Sequence, residues 1–363
     1  MPLRSLLLPG DSRPMARVRR GLFGTPADAL LTLLALSVVV MILLPLIKWL
    51  LVDAYWRGDT PSACPDRHRA CWPFITSHWK LFIYGLYPEA ERWRINLGLG
   101  AGGLLWAAAV LPKDPRYRHA AWIGLLLVFP PAAALLLLGG LFGLTPVATN
   151  LWGGFFLSVA VVSCVFYASL ALGIVLALAR QSTLPLVRAL ATVWIEFWRA
   201  VPALVLLFVA IILFPLFMPE GVEVDKLLRA MLAFTLILST FLAEALRGAL
   251  QSLPAGQYEA CNALGLSYLQ SRLYVIVPQC LSTAMPQMTS NFIGLLKETT
   301  ILLIVGVHDL FGMVQSSAVD PQWMGPGVTA TGYLFAAVLF WGICFAISRY
   351  AARLEKRMQP RGV

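Results

Sequence analysis

The sequence carries little charge for its length. Only 13% of its 363 residues are Asp, Glu, Lys or Arg, whereas 59% are hydrophobic, and the mean hydropathy is +0.76. Soluble domains contain about 25% charged residues, because their outer surface must be covered by polar groups. The composition therefore excludes a soluble globular protein and predicts an all-α polytopic membrane protein without a large domain outside the bilayer.

Several signatures of chemistry are missing as well. No window matches the phosphate-binding pattern G-x-x-x-x-G-K-[ST], so any ATP and Mg²⁺ are expected on another chain. Only four histidines are present, and two of them, His68 and His78, lie in one loop, so candidates for a catalytic base are poor. No Cys/His spacing indicates a metal site. The net charge of +10 is interpreted as membrane sidedness rather than as nucleic-acid binding.

Eight apolar runs are long enough to be considered as membrane spans, since a bilayer core of about 30 Å needs roughly 20 helical residues. They lie near residues 28–51, 95–111, 119–141, 152–179, 194–218, 228–248, 284–306 and 329–350. Gly98 and Gly102 in the second run have the small-x-x-x-small spacing of closely packed helices. The first run is too long for a signal peptide and no small-residue cleavage site follows it, so it is predicted to be a retained anchor.

Lys and Arg are distributed unevenly between the predicted loops. The loops 142–151 and 307–328 contain neither, whereas the two ends of the chain, 1–27 and 351–363, are basic. Cytoplasmic segments of membrane proteins are rich in Lys and Arg, so both ends are predicted to be cytoplasmic. The long loop 52–94 is then periplasmic. Its Cys64 and Cys71 could form a disulfide in an oxidising compartment, but their separation alone leaves this open.

One predicted cytoplasmic segment, between the sixth and seventh runs, does not have the composition of a membrane span. Its stretch EACNALGLSYLQSRLYVIVP (259–278) predicts a helix over 257–264, a left-handed turn at Gly265, and a second helix that Pro278 ends. In the second helix, apolar residues recur at helical spacing: Leu266, Leu269, Leu273 and Ile276. Such a face is covered either by the protein's own helix ends or by a partner's groove, and the residues alone leave both possibilities open.

This segment resembles the EAA loop of permeases from ATP-binding-cassette importers, written EAA-x3-G-x9-I-x-LP. Glu259, Ala260, Gly265 and Pro278 match it, while Cys261, Val275 and Val277 are small apolar departures. Three further stretches resemble the amino-acid importer subfamily: AEALRGALQSLPAGQ (243–257), GLLKETTILLIVGVHDL (294–310) and FWRAVPALVLLF (197–208). In the outer loop, CWPFI (71–75) and FIYGLYP (82–88) resemble the M subunit of general L-amino-acid transporters.

The resemblance implies a five-helix permease core over 152–350, with a coupling loop at 249–283, preceded by three extra helices within 28–151. It further implies three protein partners in the inner membrane and periplasm: an ATPase subunit that carries ATP and Mg²⁺, a second permease that completes a heterodimer, and a periplasmic amino-acid-binding protein. The residues expected to meet the ATPase are Glu259, Ala260, Gly265, Leu266, Leu269, Leu273 and Pro278.

The expected function is therefore ATP-driven import of L-amino acids across the inner membrane by alternating access, with no reaction catalysed by this chain. The alternative is an ion-driven carrier that works without an ATPase. That alternative accounts for charged residues within the spans, but it gives the cytoplasmic segment no role.

Six ionisable residues lie in or at the edge of the core spans, namely Glu196, Arg199, Glu244, Arg247, Lys297 and Glu298. A charge at the bilayer centre costs at least about 2.5–3.5 kcal/mol, so each needs a partner, water or an interface. Glu244 and Arg247 are three residues apart and can pair on one helix face. Two interpretations stay open: packing pairs between helices, or a pathway in which a cation and an acid receive a zwitterionic amino acid.

Overall fold

The computed structural model describes residues 21–110 and 114–358, and within these ranges the chain is helical and has no β-strand, only isolated bridges. The all-α prediction is confirmed. Most of the basic segment 1–27 and the end of the basic segment 351–363 lie outside the described residues. The main helices are α1 (Pro26–Ile47), α2 (Trp72–Tyr84), α3 (Arg92–Val110), α4 (Pro115–Ile123), α5 (Phe129–Leu138), α6 (Gly154–Arg180), α7 (Pro185–Ala200), α8 (Ala203–Phe208), α9 (Lys226–Ser252), α10 (Ala255–Ala263), α11 (Val277–Glu298), α12 (Leu310–Ala318) and α13 (Pro326–Met358).

Within residues 21–110 and 114–358, five helical stretches are long and apolar enough to cross a membrane, and a bent pair makes six if it counts as one span. The sequence prediction of about eight spans exceeds this number. The run at 95–111 forms α3, which does not qualify because its first turns contain the polar residues Arg92, Arg94 and Asn96. The run at 119–141 contains the end of α4, a π-helical turn at Gly124–Val128 and α5, and of these only α5 is a distinctly apolar helix, too short to qualify. The qualifying stretches are Pro26–Val52, Gly154–Arg180, Lys226–Ser252, Tyr268–Val305 and Pro326–Glu355.

The predicted span 194–218 is not one straight helix. The chain turns by 98° between α7 and the stretch Ala203–Phe217. Pro202 explains the bend, because proline disfavours a helical conformation of the residue before it, and Val201 is extended at φ −91°, ψ 132°. Helix α7 and the stretch Ala203–Phe217 therefore point in nearly perpendicular directions.

The predicted end of the second coupling helix at Pro278 is wrong. The helix that starts at Tyr268 continues without a break to Val305, and Pro278 lies in the first turn of α11. A π-helical turn at 271–276 comes directly before it. Proline provides no N–H for the helix ladder, and a local π-helical turn changes the hydrogen-bond register there, so the helix tolerates the residue.

The centre of the core is the packing of α6 against α9. A Cβ atom at Gly173 of α6 would lie 3.0 Å from both the Leu242 Cβ atom and the Ser239 carbonyl oxygen of α9, so the two backbones approach closely. One apolar cluster extends from this contact along α11 to its outer end. Helix α11 in turn packs on α13, and α7 packs on both α6 and α9.

The loop 52–94, predicted to be periplasmic, is a folded module that packs against α12, the start of α13 and the turn between them. Cys64 and Cys71 form a disulfide and are fully buried. The Arg67 guanidinium donates to the carbonyl oxygens of Gln322 and Trp323 at 3.0 and 3.2 Å. Helix α2 continues the module and shares an apolar cluster with α12 and α13. The module therefore fixes one side of the outer surface of the core.

The helices α3 to α5 are connected to this module through a buried arginine. Arg94 is 1% exposed, pairs with the Glu91 carboxylate at 2.7 Å, and donates to the Thr145 carbonyl oxygen at 2.7 Å. The Tyr87 hydroxyl donates to the Leu137 carbonyl oxygen at 2.8 Å. The Tyr87 ring also packs against Phe156 of α6, with ring centroids 5.8 Å apart, so the extra helices are linked to the core.

Candidate coupling loop and translocation site

Helix α10 ends at a left-handed residue, in the position that the sequence predicts. Gly265 has φ +69°. The Gly265 N–H donates to the Asn262 carbonyl oxygen at 3.0 Å, and the Leu266 N–H donates to the Cys261 carbonyl oxygen at 3.1 Å. These two bonds form a Schellman motif, which satisfies carbonyl groups at the end of the helix. The turn between the two coupling helices is thus determined locally.

The next helix begins with its own cap. The Ser267 N–H donates to Gln270 Oε1 at 2.9 Å, and the Gln270 N–H donates to Ser267 Oγ at 3.4 Å. This reciprocal arrangement is a capping box. Only residues 264–267 therefore separate the end of α10 from the start of the next helix, on the predicted cytoplasmic side of the core.

The second coupling helix buries one side and exposes the other. Ile276 is fully buried and Leu266 is half-buried, whereas Leu269 and Leu273 are 67% and 54% exposed. The predicted residues Glu259, Ala260, Gly265 and Pro278 are exposed too. Sequence reasoning missed three exposed apolar neighbours, although helical spacing could have found them. We call the set the exposed face of the coupling loop: Leu264, Tyr268, Leu269, Leu273 and Tyr274.

The coupling loop is attached to two spans. At α9, the Tyr258 hydroxyl donates to the Leu250 carbonyl oxygen at 3.4 Å. At α11, Gln279 Nε2 donates to Gln257 Oε1 at 3.1 Å. Both contacts involve residues of α10, so this short helix contacts the end of α9 and the start of α11.

Four of the six predicted charges meet near one end of the bundle, around Glu244. Arg247 donates from Nε and Nη2 to Glu244 Oε2 at 3.0 and 2.9 Å, as their spacing on α9 predicts. The Arg199 Nη1 atom lies 3.9 Å from the same oxygen. Arg180, which sequence reasoning missed, contacts Glu244 Oε1 and pairs with Glu196 at 3.0 Å. We call these five residues the Glu244 cluster; they join α6, α7 and α9.

Lys297 and Glu298 lie apart from this cluster and are exposed on α11. No ion pair of either residue occurs in the part of the chain that the structure describes. The residues between Lys297 and the end at Val305 form a 3₁₀ helix. At about 2 Å per residue, Lys297 lies roughly 15 Å from that end, which is about half of a 30 Å bilayer core.

The exposed side of α11 is polar along its length. We call its exposed residues the polar stripe: Ser282, Thr283, Gln287, Ser290, Lys297 and Glu298. Beside it, a cleft of ≈ 130 Å³ opens between α9 and α11, with Phe234 and Phe241 on one wall and Asn291, Gly294 and Glu298 on the other. The Asn291 Nδ2 atom is buried and has no hydrogen-bond partner among the residues that the structure describes. The cleft thus presents a carboxylate and a free amide donor.

The described residues contain no group of three or more His, Cys, Asp and Glu side chains that could hold a metal ion. The six charged residues predicted from the sequence are instead either paired in the Glu244 cluster or exposed on the polar stripe. Such an arrangement can bind or guide a charged solute, and it changes when helices move relative to each other.

Comparison with known proteins gives a consistent match. Residues 169–360 match the family described as "Binding-protein-dependent transport system inner membrane component". The chain is 41% identical to the inner membrane amino-acid ABC transporter permease protein YhdY of Escherichia coli (strain K12), covering 96% of this chain and 94% of the relative. It is 32% identical to the glutamate/glutamine/aspartate/asparagine transport system permease protein BztC of Rhodobacter capsulatus, covering 94% and 93%.

A crystal structure described as an amino acid ABC transporter with histidines is 24% identical, has a TM-score of 0.48, and covers 56% of this chain and 92% of its own. The family match includes the whole coupling loop and all six predicted charged residues. The resemblance stated from the sequence is therefore confirmed, and this chain belongs to the family of inner membrane components of binding-protein-dependent transport systems.

Proposed function

We propose that this chain is a permease subunit that imports amino acids across the inner membrane, driven by ATP hydrolysis on a separate subunit. The observation that carries the proposal is the exposed face of the coupling loop, which is apolar and is left uncovered by the residues that the structure describes. We propose that this face lies outside the bilayer. Two relatives that match nearly the full chain are named as amino-acid transport permeases. An amino-acid substrate is consistent with a site that offers both acidic and basic groups.

The proposed ATPase contact uses the exposed face of the coupling loop together with Glu259. An amphipathic helix that exposes leucines and tyrosines on one side is suited to a hydrophobic groove on a partner. Glu259 adds a charge on the same loop, where it is exposed. ATP and Mg²⁺ bind to that partner, in keeping with the lack of a phosphate-binding pattern in this chain.

The proposed pathway runs along the polar stripe. Lipid tails offer no partner for Lys297 or Glu298, and a bare charge there costs at least about 2.5–3.5 kcal/mol. This surface is therefore proposed to face water and a second permease rather than lipid. The cleft beside it offers the Glu298 carboxylate for an ammonium group and the Asn291 amide for a carboxylate.

The Glu244 cluster is proposed to close the cytoplasmic end of this pathway. Glu196, Arg199, Glu244 and Arg247 are then gate residues rather than direct ligands, because their charges are already paired with one another. A periplasmic amino-acid-binding protein delivers the solute at the opposite side. The basic residues at both ends of the chain support a cytoplasmic location for these ends.

The ATPase contact can be tested by crosslinking in cells that express the importer with its own partners. Leu269→Cys is expected to capture one protein that contains the pattern G-x-x-x-x-G-K-[ST]. The matched control is Leu86→Cys, a similarly exposed leucine of the outer module, which is expected to capture no such protein. Capture of an ATPase by neither variant, in cells accumulating amino acid, would refute the proposal.

Transport gives a second test of the same loop. Glu259→Lys and Gly265→Pro are expected to abolish uptake while the protein stays in the membrane at its normal level. Unchanged uptake in both variants contradicts a coupling role. Uptake by reconstituted protein without any ATPase favours the ion-driven carrier instead.

A further inference from the structure

Arg272 lies between two tyrosine rings inside the coupling loop. Its guanidinium carbon is 4.8 Å from the ring centroid of Tyr258 and 5.0 Å from that of Tyr268. Tyr258 belongs to α10, whereas Tyr268 and Arg272 belong to the helix that starts after the turn. The arginine thus joins the helices on the two sides of Gly265. Contacts of this kind between a cation and an aromatic face are attractive within about 6 Å.

The rings replace the usual partners of an arginine. Within residues 21–110 and 114–358, no carboxylate forms an ion pair with Arg272, and its Nη1 atom is buried without a hydrogen-bond partner. A guanidinium is planar and weakly hydrated, so it stacks on aromatic faces where an ammonium would keep its water. Its position between the rings is therefore the main interaction that holds this side chain.

The turn that Arg272 spans has little packing of its own. Gly265 is exposed, and no atom lies within 4 Å of a Cβ placed there. The two Schellman hydrogen bonds fix the backbone of the turn, but they are local to 261–266. A force applied to the exposed face of the coupling loop could bend the chain at Gly265 unless side chains also connect the two helices.

We propose that Arg272 is a positioning residue for energy coupling. By linking Tyr258 to Tyr268 it makes α10 and the start of the Tyr268–Val305 helix move as one body. Since α10 also contacts α9 through Tyr258 and α11 through Gln257, a displacement by the ATPase then reaches both spans. Without the clamp, bending at Gly265 absorbs part of the movement, and ATP is hydrolysed with less transport. The inference rests on the proposed function of the coupling loop.

The test compares ATP hydrolysis and amino-acid uptake in the same proteoliposomes, which contain the whole importer purified through a tag on this chain. Arg272→Leu keeps the bulk but removes the cation. It is expected to lower uptake at least fivefold while hydrolysis changes less than twofold, so the ATP consumed per amino acid rises several-fold. Arg272→Lys retains the charge but not the planar group that stacks on the rings, so it is expected to recover less than half of the uptake that Arg272→Leu loses.

The cross-helix contact has its own variants. Tyr258→Phe keeps the ring that Arg272 contacts but removes the hydroxyl bond to Leu250, whereas Tyr258→Leu removes both, so Tyr258→Leu is expected to lower uptake more than Tyr258→Phe. Adding Arg272→Leu to Tyr258→Leu should lower uptake no further, because the contact between the two side chains is already lost. The matched control is Arg349→Leu, which removes an arginine that stacks on one ring, Phe345, at the end of α13. It is expected to leave the ratio of ATP to amino acid unchanged.

Two outcomes overturn the role of Arg272. One is a normal ratio of ATP to amino acid in Arg272→Leu, and the other is a parallel loss of hydrolysis and uptake, which indicates a structural role alone. Neither outcome affects the crosslink from Leu269→Cys to the ATPase. Loss of that crosslink in the otherwise native chain overturns the proposed function itself, so the two failures are distinguishable.

Discussion

Removing the charge of Glu244 is expected to destabilise the permease. The geometry of the Glu244 cluster predicts which of its ion pairs contribute most. Glu244→Gln keeps the shape of the side chain but leaves three arginines without a counter-charge at the centre of the cluster. The Glu244 side chain is 17% exposed, and it accepts hydrogen bonds from Arg180 and Arg247. Arg199 is farther away, at 3.9 Å, and forms no hydrogen bond to it.

The magnitude follows from this burial. Breaking a fully buried ion pair costs about 3–5 kcal/mol, whereas an exposed pair contributes about 0–1 kcal/mol. The Glu244 cluster lies between these limits, because its arginines are 20–36% exposed. The glutamine oxygen also still accepts one hydrogen bond. We therefore expect Glu244→Gln to lower the free energy of unfolding by about 2 kcal/mol.

Double-mutant cycles measure the pairwise contributions in purified protein unfolded by denaturant in mild detergent. Coupling of Glu244→Gln with Arg180→Gln, and with Arg247→Gln, is expected at about 1–2 kcal/mol each. Coupling with Arg199→Gln is expected below about 0.5 kcal/mol, because that contact is long and more exposed. The order of these three energies is the sharper part of the prediction.

An exposed acid supplies the control. Glu223→Gln lies outside the spans, on an exposed stretch before α9, and is expected to change stability by less than about 0.5 kcal/mol. Additive effects of Glu244→Gln and Arg180→Gln would refute the cluster as a cooperative unit. A coupling with Arg199 equal to the other two would show that distance and burial do not rank these pairs.

Three other perturbations test separate parts of the chain. Gly265→Ala places a side chain at φ +69° and is expected to lower the free energy of unfolding by about 1–2 kcal/mol and to slow uptake. The control is Gly256→Ala, which lies in a helix with open space around it and should be neutral or slightly stabilising in the same assays. Replacing Cys64 and Cys71 together by Ser is expected to lower the thermal stability of the outer module by about 2–3 kcal/mol; a melting curve that reducing agent leaves unchanged in the wild type argues against this. Arg94→Met removes the donor to the half-buried Glu91 carboxylate and to the Thr145 carbonyl oxygen and should cost about 2–3 kcal/mol, seen as rapid proteolysis. Normal resistance to proteolysis contradicts a stabilising role of Arg94.

Local features of the fold were accessible from the sequence because the causes are local. The α10 helix and the left-handed Gly265 follow from a few consecutive residues, and the spacing of Glu244 and Arg247 on one helix brings them together without any tertiary information. Only part of the Glu244 cluster could be predicted from the sequence. Arg180 lies 64 residues from Glu244 in the chain, so only the packing of α6 against α9 brings them together.

Two differences between the sequence prediction and the structure have a common cause, since both concern proline within an apolar run. Hydropathy made 194–218 look like one span, although Pro202 and the extended Val201 bend it. At Pro278 the sequence predicts a helix end, and this prediction is wrong because a π-helical turn accommodates the proline. Whether proline bends a helix or is absorbed depends on the turn before it, and this turn has no signature in composition.

The coupling loop and the Glu244 cluster are connected through α9. Glu244 lies about 12 Å from the end of α9 at Ser252, at 1.5 Å per residue, and Arg247 also donates to Gln251 at 3.0 Å. A helix of this length transmits displacement as a rigid rod. Movement of α10 must therefore either carry α6 and α7 along through the cluster or break its ion pairs. If the cluster is carried, weakening it slows transport without changing the ATP consumed per amino acid. If it breaks in each cycle, Glu244→Gln accelerates opening towards the cytoplasm, and uptake and basal hydrolysis both rise.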